Sequence, residues 1–134
     1  GREGTPELTG YETALVGDAA LAAGLEEEAK ELVRLAVDSL DGWMKDDGST
    51  YAIVSGGALL ATCTRLGNRM AAIKLAVPLL ASQLPDGSWR SRETQPTAYA
   101  TRGLAMFARA FRDEQARASA ARGRGWLRLT QLKS

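Results

Sequence analysis

The sequence contains no histidine and a single cysteine, and both shortages limit the chemistry that it can carry. Histidine is the commonest general base and the usual metal ligand, so acid–base catalysis would have to use Asp, Glu, Lys, Tyr or Cys. Cys63 cannot form an internal disulfide, and it lies in an apolar segment where a buried, inert thiol is expected. We therefore predict no metal ion, no cofactor, and a reducing, cytoplasmic location.

Long apolar runs, aromatic residues and strand signals are also scarce. No stretch reaches the roughly 18 apolar residues of a membrane span, and only residues 51–54 form a short β-prone segment. Aromatic residues make up 6% of the chain while alanines are frequent, which is typical of closely packed helices. Because 134 residues suit one core, we predict a single all-α domain over residues 1–134.

The first half of the chain has few basic residues, and the second half has few acidic ones. Residues 1–64 hold twelve acidic and four basic residues, a net charge of −8, whereas residues 65–134 hold four acidic and thirteen basic ones, a net charge of +9. This split predicts an acidic surface that meets a basic one, within the fold or between copies; alternatively, two solvated helix surfaces merely differ in sign. No aromatic-interleaved basic run or glycine-rich phosphate loop favours a nucleic-acid partner.

Apolar periodicity predicts six helices that form about three antiparallel hairpins. The expected helices begin near residues 9, 25, 51, 68, 97 and 113, and Gly24 and Gly67 are expected to end the first and third. Asp-Gly turns at 47–48 and 86–87 separate the hairpins. The spacing of these signals, about 40 residues, is typical of a helical repeat. The predicted repeats cover roughly residues 9–48, 51–87 and 97–134.

The clearest repeat element is the stretch Gln83-Leu84-Pro85-Asp86-Gly87-Ser88-Trp89, which follows an apolar helix. It resembles the QW-type repeat of the terpenoid cyclase and prenyltransferase superfamily, in which a helix ends near a Gln and Asp-Gly-Ser-Trp follows. A second, incomplete copy includes Trp126 and Gln131. The resemblance implies that Gln83, Asp86, Gly87, Trp89, Trp126 and Gln131 are structural, with the Gln joining helices and the Trp filling the gap between repeats.

The resemblance also implies an α/α toroid, of which three hairpins would be about half. We expect a larger chain, a partner domain or a second copy to complete the ring. The reactive signatures of the superfamily are missing, because the segment Lys45 to Tyr51 matches neither the acidic DxDD motif nor the magnesium-binding DDxxD motif. The zinc ligands of the protein prenyltransferases would need a histidine. The family's fold is therefore carried over as an expectation, and its chemistry is not.

In a toroid, loops that enter the inner helices line the mouth of the cavity. We predict that Tyr11, Tyr51, Tyr99 and Arg102 bind a ligand there, and that Asp18 or Glu93 is the catalytic acid if catalysis occurs. A carboxylate desolvated in such a pocket would have a raised pKa and could donate a proton. Asp18 lies among apolar residues, so it could instead pair with an arginine such as Arg102.

Three functions from different classes fit these features. The first is a cyclase-like domain that binds an isoprenoid or another apolar ligand, with acid-initiated cyclase or isomerase chemistry if it is an enzyme; the arginines of residues 102–128 could hold a diphosphate or a phosphorylated lipid. The second is a carbohydrate-active or carbohydrate-binding α/α barrel with Trp43 and Trp89 exposed in a cleft. The third is a non-catalytic interaction module that self-associates through its acidic and basic halves.

Overall fold

A computed structural model describes residues 19–38, 50–90 and 92–133, and within these ranges the chain is all-α with no β-strand. Residues 19–22 are the end of a helical segment. The helices that follow are α1 (Glu26–Asp38), α2 (Thr50–Arg65), α3 (Arg69–Ser82), α4 (Thr94–Phe111) and α5 (Glu114–Lys133). The predicted all-α class is confirmed, while the toroid, the repeat array and the completing partner remain predictions.

The helix ends follow from local sequence signals. Gly24 and Gly67 have φ angles of +85° and +74°, a conformation that favours glycine, and the helices before them stop there as predicted. The Asn68 side chain then accepts a hydrogen bond of 3.1 Å from the Ala71 amide and caps α3. Short connections therefore join α2 to α3 and α4 to α5, and each pair packs together.

Residues 51–54, the short β-prone segment, are helical, as the helix predicted to begin near residue 51 required. Two prolines lie inside helices. Pro78 lies inside α3 without ending it. α4 begins at Thr94, three residues earlier than predicted. Pro96 occupies its first turn, where a missing backbone N–H costs no intrahelical hydrogen bond.

Helix α2 is the centre of the described core. Every residue from Ala52 to Thr64 is buried, so this helix has no solvent-facing side over that length. A helix that is apolar around its circumference is stable only when neighbours cover all of it. α2 packs most extensively on α4, and α3 and α1 also contact it.

Two glycines allow α2 and α4 to approach each other closely. A Cβ atom on Gly57 would collide with the backbone of Tyr99, and one on Gly103 would collide with the carbonyl of Gly57. The low helix propensity of the Ser55-Gly56-Gly57 stretch is thus offset by close packing at the crossing. This contact packs α2 and α4 directly against each other.

The segment between α3 and α4 joins the two hairpins through Gln83 and Trp89. The Gln83 side-chain amide donates to the carbonyls of Gly87 (3.0 Å) and Ser119 (2.9 Å), and its oxygen accepts from the Ser119 hydroxyl (2.6 Å) and Arg122 (2.9 Å). Trp89 is fully buried, and its indole N–H donates to the carbonyl of Leu79 (2.9 Å) near the end of α3. We call this set of contacts the Gln83–Trp89 clasp.

The remaining residues assigned to the repeat have less central positions. Asp86 accepts hydrogen bonds from the hydroxyl (2.6 Å) and the amide (2.9 Å) of Ser88, and it pairs with Arg92 at 3.0 Å. The Ser88 hydroxyl and amide, followed by Arg92, hold the pKa of Asp86 below its ordinary value. Trp126 is half-buried and Gln131 is exposed.

The buried thiol of Cys63 makes stability depend on pH in alkaline solution. Burial raises its pKa to about 12 from an ordinary value of 9.0, because the thiolate would be desolvated. Between those values the unfolded chain loses a proton that the folded chain keeps, so rising pH favours unfolding. We expect the free energy of unfolding to fall by about 1 kcal/mol more between pH 9 and pH 10 in the native chain than in Cys63→Ala. Denaturant titrations of both proteins at these two pH values measure this difference, and equal slopes would contradict it.

A candidate anion-binding groove between α4 and α5

The predicted ligand and acid residues do not form one described cluster. Glu93 is exposed and immediately precedes α4, so the described part of the chain does not supply the desolvation that the acid hypothesis requires. Tyr99 is half-buried against the core, whereas Arg102 on the same helix is exposed. Tyr11, Asp18 and Trp43 lie outside the described residues, and Tyr51 lies in α2 with its side chain outside the description.

Trp89 does not offer a surface for a sugar. The carbohydrate hypothesis needed this indole in an open cleft, but the structure buries it completely and bonds its N–H to Leu79. Aromatic stacking on a sugar ring requires an accessible ring face. The prediction that Trp89 is exposed in a cleft is therefore wrong. Trp43, the other tryptophan of that prediction, lies outside the described residues.

A groove of about 280 Å³ lies between α4 and α5. Its lining combines alanines and arginines, namely Ala105, Ala108, Arg109, Arg117, Ala120 and Arg124. The two helices are joined by a short connection and pack side by side, so the groove runs along their shared surface. It opens on the outside of the hairpin rather than inside the core.

The groove exists because small side chains lie where α4 and α5 meet. Ala108 and Ala120 are buried and Ala105 is half-buried, so they form a shallow apolar floor. Larger residues at these positions would fill the space between the helices. Arg117 and Arg124 are seven residues apart on α5, which places them on one face two turns apart. Arg109 approaches from the last turn of α4.

The charge around this groove is strongly positive. Arg117 is held by Glu114 through two hydrogen bonds of 2.7 and 2.9 Å, and the pKa of Glu114 is lowered by the hydrogen bonds and charge of Arg117. Arg109 and Arg124 form no ion pair with any residue that the structure describes. Two guanidinium groups without a described ion-pair partner therefore flank the alanine floor, and a third is shared with the carboxylate of Glu114.

This arrangement suits an anion that carries an apolar portion. Guanidinium groups bind phosphate oxygens through paired, charge-assisted hydrogen bonds, which single point charges do not provide. The alanine methyl groups could contact an apolar chain at the same time. No group of three or more Asp, Glu, Cys or His side chains in the described ranges is placed to hold a metal ion. The groove therefore has the chemistry of an anion-binding surface and lacks a general acid.

The sequence indicated that arginines of α4 and α5 could bind an anion, but it did not indicate which of them line a groove. It singled out Arg102, which does not line the groove, and it placed Arg109 on the same helix face. The missing signal is the coincidence of Ala105, Ala108 and Ala120 with Arg109 and Arg124. That coincidence depends on how the two helices are rotated about their axes, and an alanine-rich helix carries little periodic information about that rotation.

Comparison with known proteins adds no family to these observations, since no protein-family model, curated protein or solved structure matches the chain. Among the described helices, none is sufficiently long and apolar to cross a membrane. The groove and the distribution of charge are therefore the features that bear on function.

Proposed function

We propose that this chain is a helical-repeat binding domain that takes an amphipathic phosphorylated ligand in the groove between α4 and α5. The class of ligand is a phosphate or diphosphate head group attached to an apolar chain, as in an isoprenoid diphosphate. The observation that carries the proposal is that Arg109 and Arg124, beside the alanine floor, have no ion-pair partner among the described residues. We propose binding without catalysis, because no described carboxylate is both buried and directed at the groove.

Two further features support an anionic ligand. Helices α4 and α5 together carry six arginines and one lysine against the single carboxylate of Glu114. The positive potential of such a surface raises the local concentration of anions and speeds their association. The resemblance of the Gln83–Trp89 clasp to a QW-type repeat independently suggests isoprenoids, since members of that superfamily act on them.

The proposal is tested by titrating the full chain with geranylgeranyl diphosphate, inorganic pyrophosphate and geranylgeraniol by calorimetry. We expect the diphosphate lipid to bind more tightly than either part alone, because both the head and the tail would contribute. Arg109→Ala and Arg124→Ala should each weaken binding by about tenfold, which corresponds to the loss of about 1.4 kcal/mol of charge-assisted hydrogen bonding.

Arg102→Ala is the matched control for the loss of one positive charge. It lies on α4 and is exposed, but it does not line the groove. We expect it to leave binding within about twofold of the native value, since exposed charges at a distance are largely screened by salt. Equal weakening by all three substitutions would show general attraction to a basic surface, and no binding of the lipid diphosphate would overturn the proposal.

A further inference from the structure

The ion pairs described for helices α1 and α5 lie within each helix. Every described ion pair joins residues close in sequence: Lys30 with Glu26 and Glu27, Arg34 with Glu31 and Asp38, Arg92 with Asp86, and Arg117 with Glu114. None connects α1 with α4 or α5. The acidic surface that the sequence predicted to meet a basic surface within the fold is therefore not paired in this way among the described residues.

Helix α1 combines uncompensated acid with exposed leucine. It contains five carboxylates against Lys30 and Arg34, a net charge of −3. Leu25 and Leu35 are each about half exposed, at 49% and 48%, and Glu28 lies on the same helix face between them. Glu28 has no ion-pair partner in the described ranges. Glu28 is thus exposed on a face that also carries two half-exposed leucines.

The surface of α4 and α5 has complementary chemistry. These helices have a combined net charge of +6, and the alanine-floored groove gives apolar side chains a place to pack. Leu129 and Leu132 near the end of α5 are 60% and 77% exposed.

We propose that α1 of one copy docks on the groove between α4 and α5 of a second copy, with Glu28 opposite the arginines that line it. The occupant is a second copy because the chain itself carries both complementary surfaces. Such a contact joins two different surfaces, so it repeats from copy to copy until a ring closes or a filament grows. This inference goes beyond the proposed ligand and uses the same arginines, so a bound diphosphate would compete with self-association.

Sedimentation velocity of the full chain tests the proposal. We expect association at about 0.1 M salt that is lost at about 1 M salt, because the screening distance falls from about 10 Å to about 3 Å. Glu28→Lys and Arg124→Glu should each weaken association by tenfold or more, since each places like charges opposite each other. Lys74→Glu, a charge reversal on the exposed side of α3, is the control and should leave association unchanged.

Combining the two charge reversals distinguishes the proposed contact from other modes of association. A mixture of Glu28→Lys and Arg124→Glu chains should form mixed assemblies in which the variants alternate, because the altered α1 of one variant meets the altered groove of the other. The double variant should recover self-association. A native chain that stays monomeric at low salt would overturn the proposal. So would association that survives both reversals, which would instead indicate contact through exposed apolar residues of α3 such as Met70 and Val77.

Discussion

Replacing Trp89 by alanine is expected to lower the free energy of unfolding by about 3–5 kcal/mol, the usual range for deleting a buried aromatic side chain. Trp89 is completely buried, and its ring contacts Gly123 on α5. Its indole N–H also donates a hydrogen bond of 2.9 Å to the carbonyl of Leu79 near the end of α3, which the Ser82 hydroxyl also contacts. The substitution therefore leaves a cavity and removes one buried hydrogen bond.

Denaturant titration of Trp89→Ala beside Trp126→Ala gives a matched comparison. Trp126 was also assigned to the repeat, but it is only half-buried. Its loss should cost about 1 kcal/mol, as for most single substitutions away from the core. Trp89→Phe should be intermediate, because it retains much of the apolar contact and loses the hydrogen bond. If the two alanine variants were equally stable, Trp89 would not have the central role that its burial indicates.

Adding one methyl group at Gly57 is expected to destabilise the protein by about 2–3 kcal/mol, although alanine is normally the better helix former. The new Cβ would overlap the carbonyl carbon and oxygen of Tyr99, which belong to the backbone of α4. Backbone cannot rotate out of the way as a flexible side chain would. Helices α2 and α4 would therefore have to separate at the point where they are closest.

Gly125→Ala is the control, because Gly125 lies inside α5 and a Cβ built there meets no atom within 4 Å. At this position the higher helix propensity of alanine should decide the outcome, and we expect the free energy of unfolding to rise by about 0.5–1 kcal/mol. Opposite signs for the two substitutions, measured by thermal or denaturant unfolding, would identify a close helix crossing at Gly57. Two stabilising substitutions would show that α2 and α4 can separate at little cost.

The sequence was most informative where one residue type has one dominant physical effect. Gly24 and Gly67 end helices because they readily adopt positive φ, and Asn68 begins one because its side chain accepts an amide hydrogen bond. The predicted start of α4 near residue 97 lay just after Pro96, whereas the helix begins at Thr94, because proline is well tolerated in the first turn. Pro78 lies in the interior of α3, between the buried residues Leu75 and Leu79, and the helix continues through it although proline disfavours helix there.

The buried side of α5 could not be predicted with the same success. Ala118 and Ala121 are exposed, and the buried side is formed by Ala116, Ser119, Ala120 and Gly123. In a helix of alternating alanine and arginine, several rotations give nearly the same apolar pattern. The contacts of Gln83 with Ser119 and of Trp89 with Gly123 select one of them. The groove depends on that choice, so sequence alone could not define it.

The complete burial of α2 has a consequence for the order in which the protein can assemble during synthesis. Residues 51–64 carry no charge, and their main neighbour, α4, is made about thirty residues later. Until α4 leaves the ribosome, this apolar segment has nothing to cover its second side, and it contains two adjacent glycines that oppose isolated helix formation. The newly made chain is therefore most vulnerable to aggregation in the interval between the synthesis of α2 and that of α4.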